Sequence, residues 1–185
     1  MKIGVFVGSF NPVHKGHIKI VNSLLKNKYL DKVLIIPTGN YWDKTSLIDI
    51  KYRIEMLKYY ENSNIIIDTK HNNLEYTYQV MDELKKEYKN DKLYLIIGAD
   101  NIVSFDKWKH YEDLLKNGLI IVSRNNIDIK SYLDKLNKNN DYYIVNEDYE
   151  VSSTIIRNNI NNKKVLEEYL DKNIIDYINK NNLYK

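Results

Sequence analysis

Cysteine is absent from the 185 residues. That excludes a disulfide framework, a thiolate nucleophile and any zinc site built on cysteine. Alanine occurs once, at Ala99, and proline twice, at Pro12 and Pro37. No run of 18 apolar residues exists, so no segment reads as a membrane span. The opening stretch, MKIGVFVGSF, is one short strand-like run, too short for a secretory h-region with its cleavage site. A large charge excess is also missing. The chain has 28 basic and 25 acidic residues, for a net charge of +3, whereas a nucleic-acid binder needs a concentrated basic face. These absences lead us to expect a cytoplasmic protein with neither a nucleic-acid nor a membrane partner. Monomer and homo-oligomer are equally compatible with them.

What is present is an ordinary soluble balance, 43% hydrophobic and 29% charged, on a chain long enough to bury a core. Asn, Lys, Ile and Tyr are used heavily, a bias that can mark low-complexity sequence. Here, however, apolar runs bounded by turn residues recur at regular intervals. Strands are expected at Lys2 to Val7, Val33 to Ile36, Asn64 to Ile67, Leu93 to Ile97, Leu119 to Val122 and Tyr142 to Val145. Helices are expected at Gly16 to Asn27, Leu47 to Tyr60, Leu74 to Tyr88, Tyr111 to Lys116, Ile129 to Leu136, Ser152 to Asn159 and Val165 to Asn181.

The strands are nearly uniformly apolar and alternate with helices, which implies a parallel sheet covered on both faces. The expectation is an α/β fold: one Rossmann-like, doubly wound domain over residues 1–185, with a C-terminal helical part from about residue 150. In such folds ligands bind at the C-terminal ends of the strands, where the strand order reverses. Chemistry is therefore sought just after each strand.

The first strand runs into Gly8-Ser9-Phe10-Asn11-Pro12-Val13-His14-Lys15-Gly16-His17. Gly8 is expected to let the backbone turn sharply and approach a ligand closely. Gly16 and His17 open a helix whose free N–H groups favour an anion. Two histidines three apart can both face a phosphate held there. Alone, such a pair is half of a metal site, but no third ligand lies nearby. Near the other end, Val151-Ser152-Ser153-Thr154-Ile155-Ile156-Arg157 places hydroxyls at a helix start and an arginine one turn later. That set can hold phosphate oxygens, or can be an ordinary serine cap.

GSFNPVHKGH resembles the signature loop of the HxGH nucleotidyltransferase superfamily, and VSSTIIR resembles its ISSTxIR motif. Between them, Ile96-Ile97-Gly98-Ala99-Asp100 with Trp108 resembles the IGAD…W block of nicotinate mononucleotide adenylyltransferases. Glu75-Tyr76-Thr77-Tyr78 resembles that branch's SYT segment, Val122-Ser123-Arg124 its arginine after the fifth strand, and Leu183-Tyr184 its usual C-terminal end.

The resemblance implies transfer of the adenylyl group of ATP to nicotinate mononucleotide, giving nicotinate adenine dinucleotide and pyrophosphate in NAD biosynthesis, with nicotinamide mononucleotide as the alternative acceptor. It implies His14 and His17 at the α-phosphate, and Gly8, Ser9 and Phe10 in the loop around ATP. Gly98 and Asp100 fall on the nucleotide's sugar side, and Ser152, Ser153, Thr154 and Arg157 on the β- and γ-phosphates. Tyr76, Thr77 and Trp108 fall at the pyridine ring, and Lys44 and Arg124 at the mononucleotide phosphate. Mg²⁺ is expected between the ATP phosphates with few protein ligands, because it tends to keep its waters; no dedicated metal ligands are assigned. One segment departs from the family: where a PPHK-like stretch is usual, this chain has Tyr41-Trp42-Asp43-Lys44, which leaves the choice of mononucleotide open. Two rivals stand beside this reading. Pantetheine-phosphate adenylyltransferases share both end motifs, but usually carry Thr where His14 stands and lack the IGAD…W block. A degenerate paralogue that binds a nucleotide as a sensor or scaffold would release no pyrophosphate.

Overall fold

The computed structural model describes residues 1–39, 47–123, 127–138, 141–146 and 151–185. Lys44 and Arg124, and the Tyr41-Trp42-Asp43 segment, lie outside the described residues. Among the described residues six strands form one parallel sheet: β1 (Lys2–Gly8), β2 (Lys32–Pro37), β3 (Ile65–Ile67), β4 (Lys92–Gly98), β5 (Gly118–Ser123) and β6 (Tyr142–Asn146). Their order is β3-β2-β1-β4-β5-β6, so the chain reverses direction across the sheet between β1 and β4. This is the doubly wound arrangement expected from the alternation of strands and helices.

The helices are α1 (Lys15–Lys26), α2 (Ile50–Lys58), α3 (Thr77–Glu87), α4 (Ala99–Ile102), α5 (Tyr111–Leu115), α6 (Ile129–Lys135), α7 (Ser153–Asn158), α8 (Lys163–Tyr169) and α9 (Lys172–Lys180). They cover both faces. Successive strand residues point to opposite sides, and the core divides accordingly. Val33, Ile35, Tyr94, Ile96, Ile120 and Val122 join one apolar cluster with α1, α2 and α7 to α9. Leu34, Ile36, Leu95, Ile97, Leu119 and Ile121 join the other with α3 to α6. Nothing exposed interrupts the middle strands, hence their continuous apolar sequence.

Two expectations are corrected. The helix expected from Val165 to Asn181 is two helices, broken at Leu170-Asp171, where the backbone is extended (Leu170 φ −118°, ψ 147°). Asp171 accepts a hydrogen bond from the Tyr60 hydroxyl at 2.6 Å, a partner 111 residues away that no local pattern reveals. The helix expected to begin at Leu74 begins at Thr77 instead, after the N-cap Tyr76, whose main-chain N–H donates to Gln79 Oε1 at 3.0 Å in a capping box.

Candidate active site

Gly8 ends β1 and Gly98 ends β4, so both lie at the C-terminal edge of the sheet, on the two strands where the order reverses. Beyond Gly8 the chain enters a buried loop: Phe10, Asn11, Val13 and His14 are all at most 3% exposed. The sharp turn expected at Gly8 lies elsewhere. No described glycine has positive φ, and the left-handed residue is Phe10, at φ 45°. For an L-residue that geometry costs about 1–2 kcal/mol. Phe10's burial between Phe6 (5.3 Å, edge to face) and His17 (5.1 Å) offsets it. A Cβ at position 8 would stand 3.1 Å from the Phe10 ring, so the ring would have to give by a few tenths of an ångström to admit one.

His14 is the N-cap of α1, and His17 is its third residue. The His14 main-chain N–H donates to His17 Nδ1 at 3.2 Å. Nδ1 is therefore an acceptor, so in the neutral ring the proton sits on Nε2, which becomes a directed donor. The two imidazoles stack with centroids 3.6 Å apart at 25°. His14 is 1% exposed, whereas His17 is half-buried. The structure thus brings the two expected histidines together as one stacked pair at the start of α1.

The second motif packs onto this loop. Ser152 is the N-cap of α7 and accepts from the Ile155 N–H. Ser153 Oγ donates to the Pro12 carbonyl at 2.9 Å. Arg157 donates through Nη1 to the Asn11 carbonyl at 2.8 Å and through Nη2 to Thr154 Oγ1 at 3.2 Å. Ser153, expected on the phosphates, thus directs its hydroxyl proton to the loop. Thr154 is exposed.

Two further groups were not expected from the sequence. Arg53, on α2, is wholly buried; its guanidinium donates to the Ser9 carbonyl at 2.7 Å and to the Ile48 carbonyl at 3.1 Å. Burial pulls its pKa down, while Tyr184 and Asp49 act the other way. The Tyr184 hydroxyl donates to Asn11 Oδ1 at 3.0 Å, and the same oxygen accepts the Ile48 N–H. An isolated arginine in a helix with polar neighbours reads as a solvated residue, so only the tertiary fold identifies Arg53. For Tyr184 the end-of-chain Leu-Tyr pair was the available signal.

Asp100, in α4 just past Gly98, is exposed at the crevice between β1 and β4. On the β4 side, a cavity of about 330 Å³ is lined by Glu75, Tyr76, Thr77, Lys107, Trp108 and Lys109, among others. The expected ring residues are therefore gathered in one place. Trp108 is half-buried and packs against the buried Phe105 at 5.1 Å, so it both borders the cavity and braces the core. Among the described residues no three His, Cys, Asp or Glu side chains cluster as metal ligands. The available donors, one carboxylate at Asp100 and several hydroxyls, fit an oxygen-ligated ion that keeps phosphate and water ligands; imidazole nitrogens suit softer metals. No helix among the described residues is long and apolar enough to cross a membrane.

Residues 5–159 match the cytidylyltransferase-like family. Across its whole length the chain is 34% identical to a probable nicotinate-nucleotide adenylyltransferase of Borrelia garinii subsp. bavariensis, covering 95% of that protein. It is 32% identical, again over its whole length, to a probable nicotinate-nucleotide adenylyltransferase of Clostridium perfringens, covering 98% of it. The fold is shared with the Plasmodium falciparum nicotinic acid mononucleotide adenylyltransferase complexed with NaAD. That match has TM-score 0.84 and 24% identity, and covers 99% of this chain and 97% of that one.

Proposed function

Because the chain belongs to the cytidylyltransferase-like family, and within it to the nicotinate-nucleotide adenylyltransferases that its full-length relatives represent, we propose that it transfers the adenylyl group of ATP to nicotinate mononucleotide. The products are nicotinate adenine dinucleotide and pyrophosphate, a step of NAD biosynthesis carried out in the cytoplasm. The observation that carries the reading is the stacked His14–His17 pair at the β1/β4 crevice, with His17 Nε2 left as a donor by the bond to Nδ1.

No enzyme nucleophile is needed. A phosphate oxygen of the mononucleotide attacks the α-phosphorus of ATP. The new O–P bond forms as the bond to the bridging oxygen of the β-phosphate breaks, and that oxygen leaves with the electron pair as pyrophosphate. Catalysis of this kind is positioning plus stabilisation of charge. His17 Nε2–H donates to a non-bridging α-phosphate oxygen. His14 stacks beneath and fixes the ring plane. Gly8, Ser9 and Phe10 shape the wall against which ATP lies, and Gly98 and Asp100 take the sugar side. Thr154, Arg157 and the Ser152 and Ser153 pair meet the β- and γ-phosphates, with Ser153 and Arg157 also bracing the loop. Lys44 and Arg124 meet the mononucleotide phosphate, and Tyr76, Thr77 and Trp108 hold the ring. Mg²⁺ bound with ATP would supply charge neutralisation on the phosphates, retaining phosphate oxygens and waters as most of its ligands. Residues 1–185 act as one unit, since the C-terminal helices contribute Ile156, Leu166, Ile174 and Ile178 to the same apolar cluster as Phe10 and Val13.

The test is pyrophosphate release with ATP and Mg²⁺, offered nicotinate mononucleotide, nicotinamide mononucleotide or 4′-phosphopantetheine in turn. A dinucleotide product from a pyridine mononucleotide is expected. Product only from phosphopantetheine, or none from any acceptor, overturns the reading.

A further inference from the structure

The cavity beside Trp108 holds more charge than a ring-stacking site requires. Two lysines, Lys107 and Lys109, and one glutamate, Glu75, line it, which leaves one net positive charge. Glu75 is engaged with the Tyr76 hydroxyl. Lys109 Nζ stands over the other part of that residue, 4.3 Å from the centroid of the Tyr76 ring. Tyr76 is the N-cap of α3, an eleven-residue helix with no acidic side chain in its first turn. Thr77, the first helical residue, lines the same cavity. Helix end and ammonium therefore direct positive potential into one space. The backbone that carries Lys109 is fixed as well. The Tyr111 N–H closes a turn onto the Trp108 carbonyl at 3.1 Å, and His110 adopts φ 55° and packs its ring 4.3 Å from Tyr78.

Resting on the adenylyltransferase reading above, we infer that Lys109 is a specificity-determining residue: it makes the cavity prefer a pyridine bearing a carboxylate over one bearing a neutral amide. A carboxylate and a carboxamide have nearly the same shape and both accept hydrogen bonds. What separates them is charge, and the amide brings N–H groups that a cationic wall cannot accept. Neutral hydrogen-bond donors serve either oxygen alike. A lysine ammonium gains Coulomb energy only from the anion, and as a mobile point charge it reaches a carboxylate without a fixed fork.

Lys109 is exposed at the cavity rim, so its replacement leaves the core intact. The experiment measures kcat/KM for nicotinate and nicotinamide mononucleotide at saturating ATP, in wild type, Lys109→Gln, Lys109→Glu and Lys109→Arg. Wild type should favour the nicotinate form. Lys109→Gln should lower that preference by about three- to tenfold, the range for one partly solvated charge pair. Lys109→Glu should lower it further, and Lys109→Arg should keep most of it. Raising the salt should compress the preference of wild type and leave that of Lys109→Gln flat. Equal losses on both substrates, or an unchanged ratio in Lys109→Gln, overturn the inference while leaving the activity assigned. If wild type adenylylates neither pyridine mononucleotide, the activity itself fails and the inference falls with it.

Discussion

Arg157 Nη1 meets the carbonyl oxygen of Asn11 at 2.8 Å, joining residues 146 positions apart. Asn11 in turn receives the Tyr184 hydroxyl and the Ile48 N–H on its side-chain oxygen. The segment that precedes the histidines is thus held from three directions, by α7, by the C-terminus and by the entry to α2. Arg157→Lys keeps the charge but loses the planar fork that reaches both Asn11 and Thr154. Arg157→Ala removes both. Expected outcomes are a larger loss of kcat/KM for ATP in Arg157→Ala than in Arg157→Lys, and a lower melting temperature for Arg157→Ala. Steady-state kinetics and a thermal melt on the same preparations decide it. Indistinguishable kinetics for the two variants would show that the charge lysine retains contributes nothing, and that the fork alone is what arginine supplies.

The proposed role of His17 has two separable parts, accepting from the His14 N–H and donating from Nε2–H to the α-phosphate. Loss of one preorganised donor to transition-state charge costs about 10²–10³ in kcat. His17→Ala should show that loss with KM for ATP changed much less. His17→Asn can replace the acceptor at Nδ1 but places no donor where Nε2 stood. It should recover some thermal stability relative to His17→Ala and little activity. Activity near wild type in either variant would remove His17 from the chemistry.

Much of this was legible from residue order alone. The runs Lys2–Val7, Leu93–Ile97 and Leu119–Val122 became β1, β4 and β5 with one or two residues added at the ends, because buried parallel strands leave continuous apolar sequence. The first motif follows β1 and the block around Asp100 follows β4, while the second motif opens α7. What stayed hidden was set by distant partners. The break at Asp171 depends on Tyr60, Phe10 takes the turn that glycine chemistry suggested for Gly8, and Ser153 turns to Pro12. The four-residue α4 and the single turn at Phe105–Lys107 are too short to show a helical period.

Alkaline pH should destabilise the fold through its buried phenols. Burial first, and then the hydrogen bond to Asp171, hold the Tyr60 phenol far above its ordinary value. Burial does the same for Tyr184, opposed by Arg157 and Arg53. An unfolded tyrosine releases its proton near pH 10, while the folded one keeps it. Above that pH the unfolded chain binds fewer protons, so stability falls as pH rises. Below it the contribution is fully present. Each such group steepens the fall by at most about 1.4 kcal/mol per pH unit, and Tyr60, only partly shielded, by less. Urea midpoints between pH 9 and 11.5 should decline less steeply in Tyr60→Phe than in wild type. Parallel declines would contradict the assignment.

Trp108 both lines the cavity and packs against Phe105. Trp108→Ala should raise KM for the mononucleotide a few-fold to tenfold, corresponding to a stack of about 0.5–1.5 kcal/mol, and change KM for ATP little. Because the ring is only half-buried, the stability loss should fall below the roughly 3–5 kcal/mol typical of a core tryptophan. Equal effects on both substrates with a large stability loss would make Trp108 a core residue alone.

Arg53 offers the sharpest separation of packing from positioning. Its guanidinium is wholly buried and bridges the Ser9 carbonyl, on the loop before the histidines, to the Ile48 carbonyl, at the entry to α2. Arg53→Met fills much of the same volume but leaves both carbonyls without that donor, at about 1–3 kcal/mol for each acceptor stranded from water. Arg53→Lys restores a charge and one reach but not the fork. The loss of stability should therefore run Arg53→Met greater than Arg53→Lys. In kinetics at a temperature where both remain folded, kcat should fall in both, because displacement of Ser9 moves the loop that places His14 and His17. An effect of a packing residue would scale with unfolding and vanish well below the melting transition. A positioning residue keeps its deficit there. Wild-type kcat in folded Arg53→Met would show that Ser9 holds its place without the guanidinium.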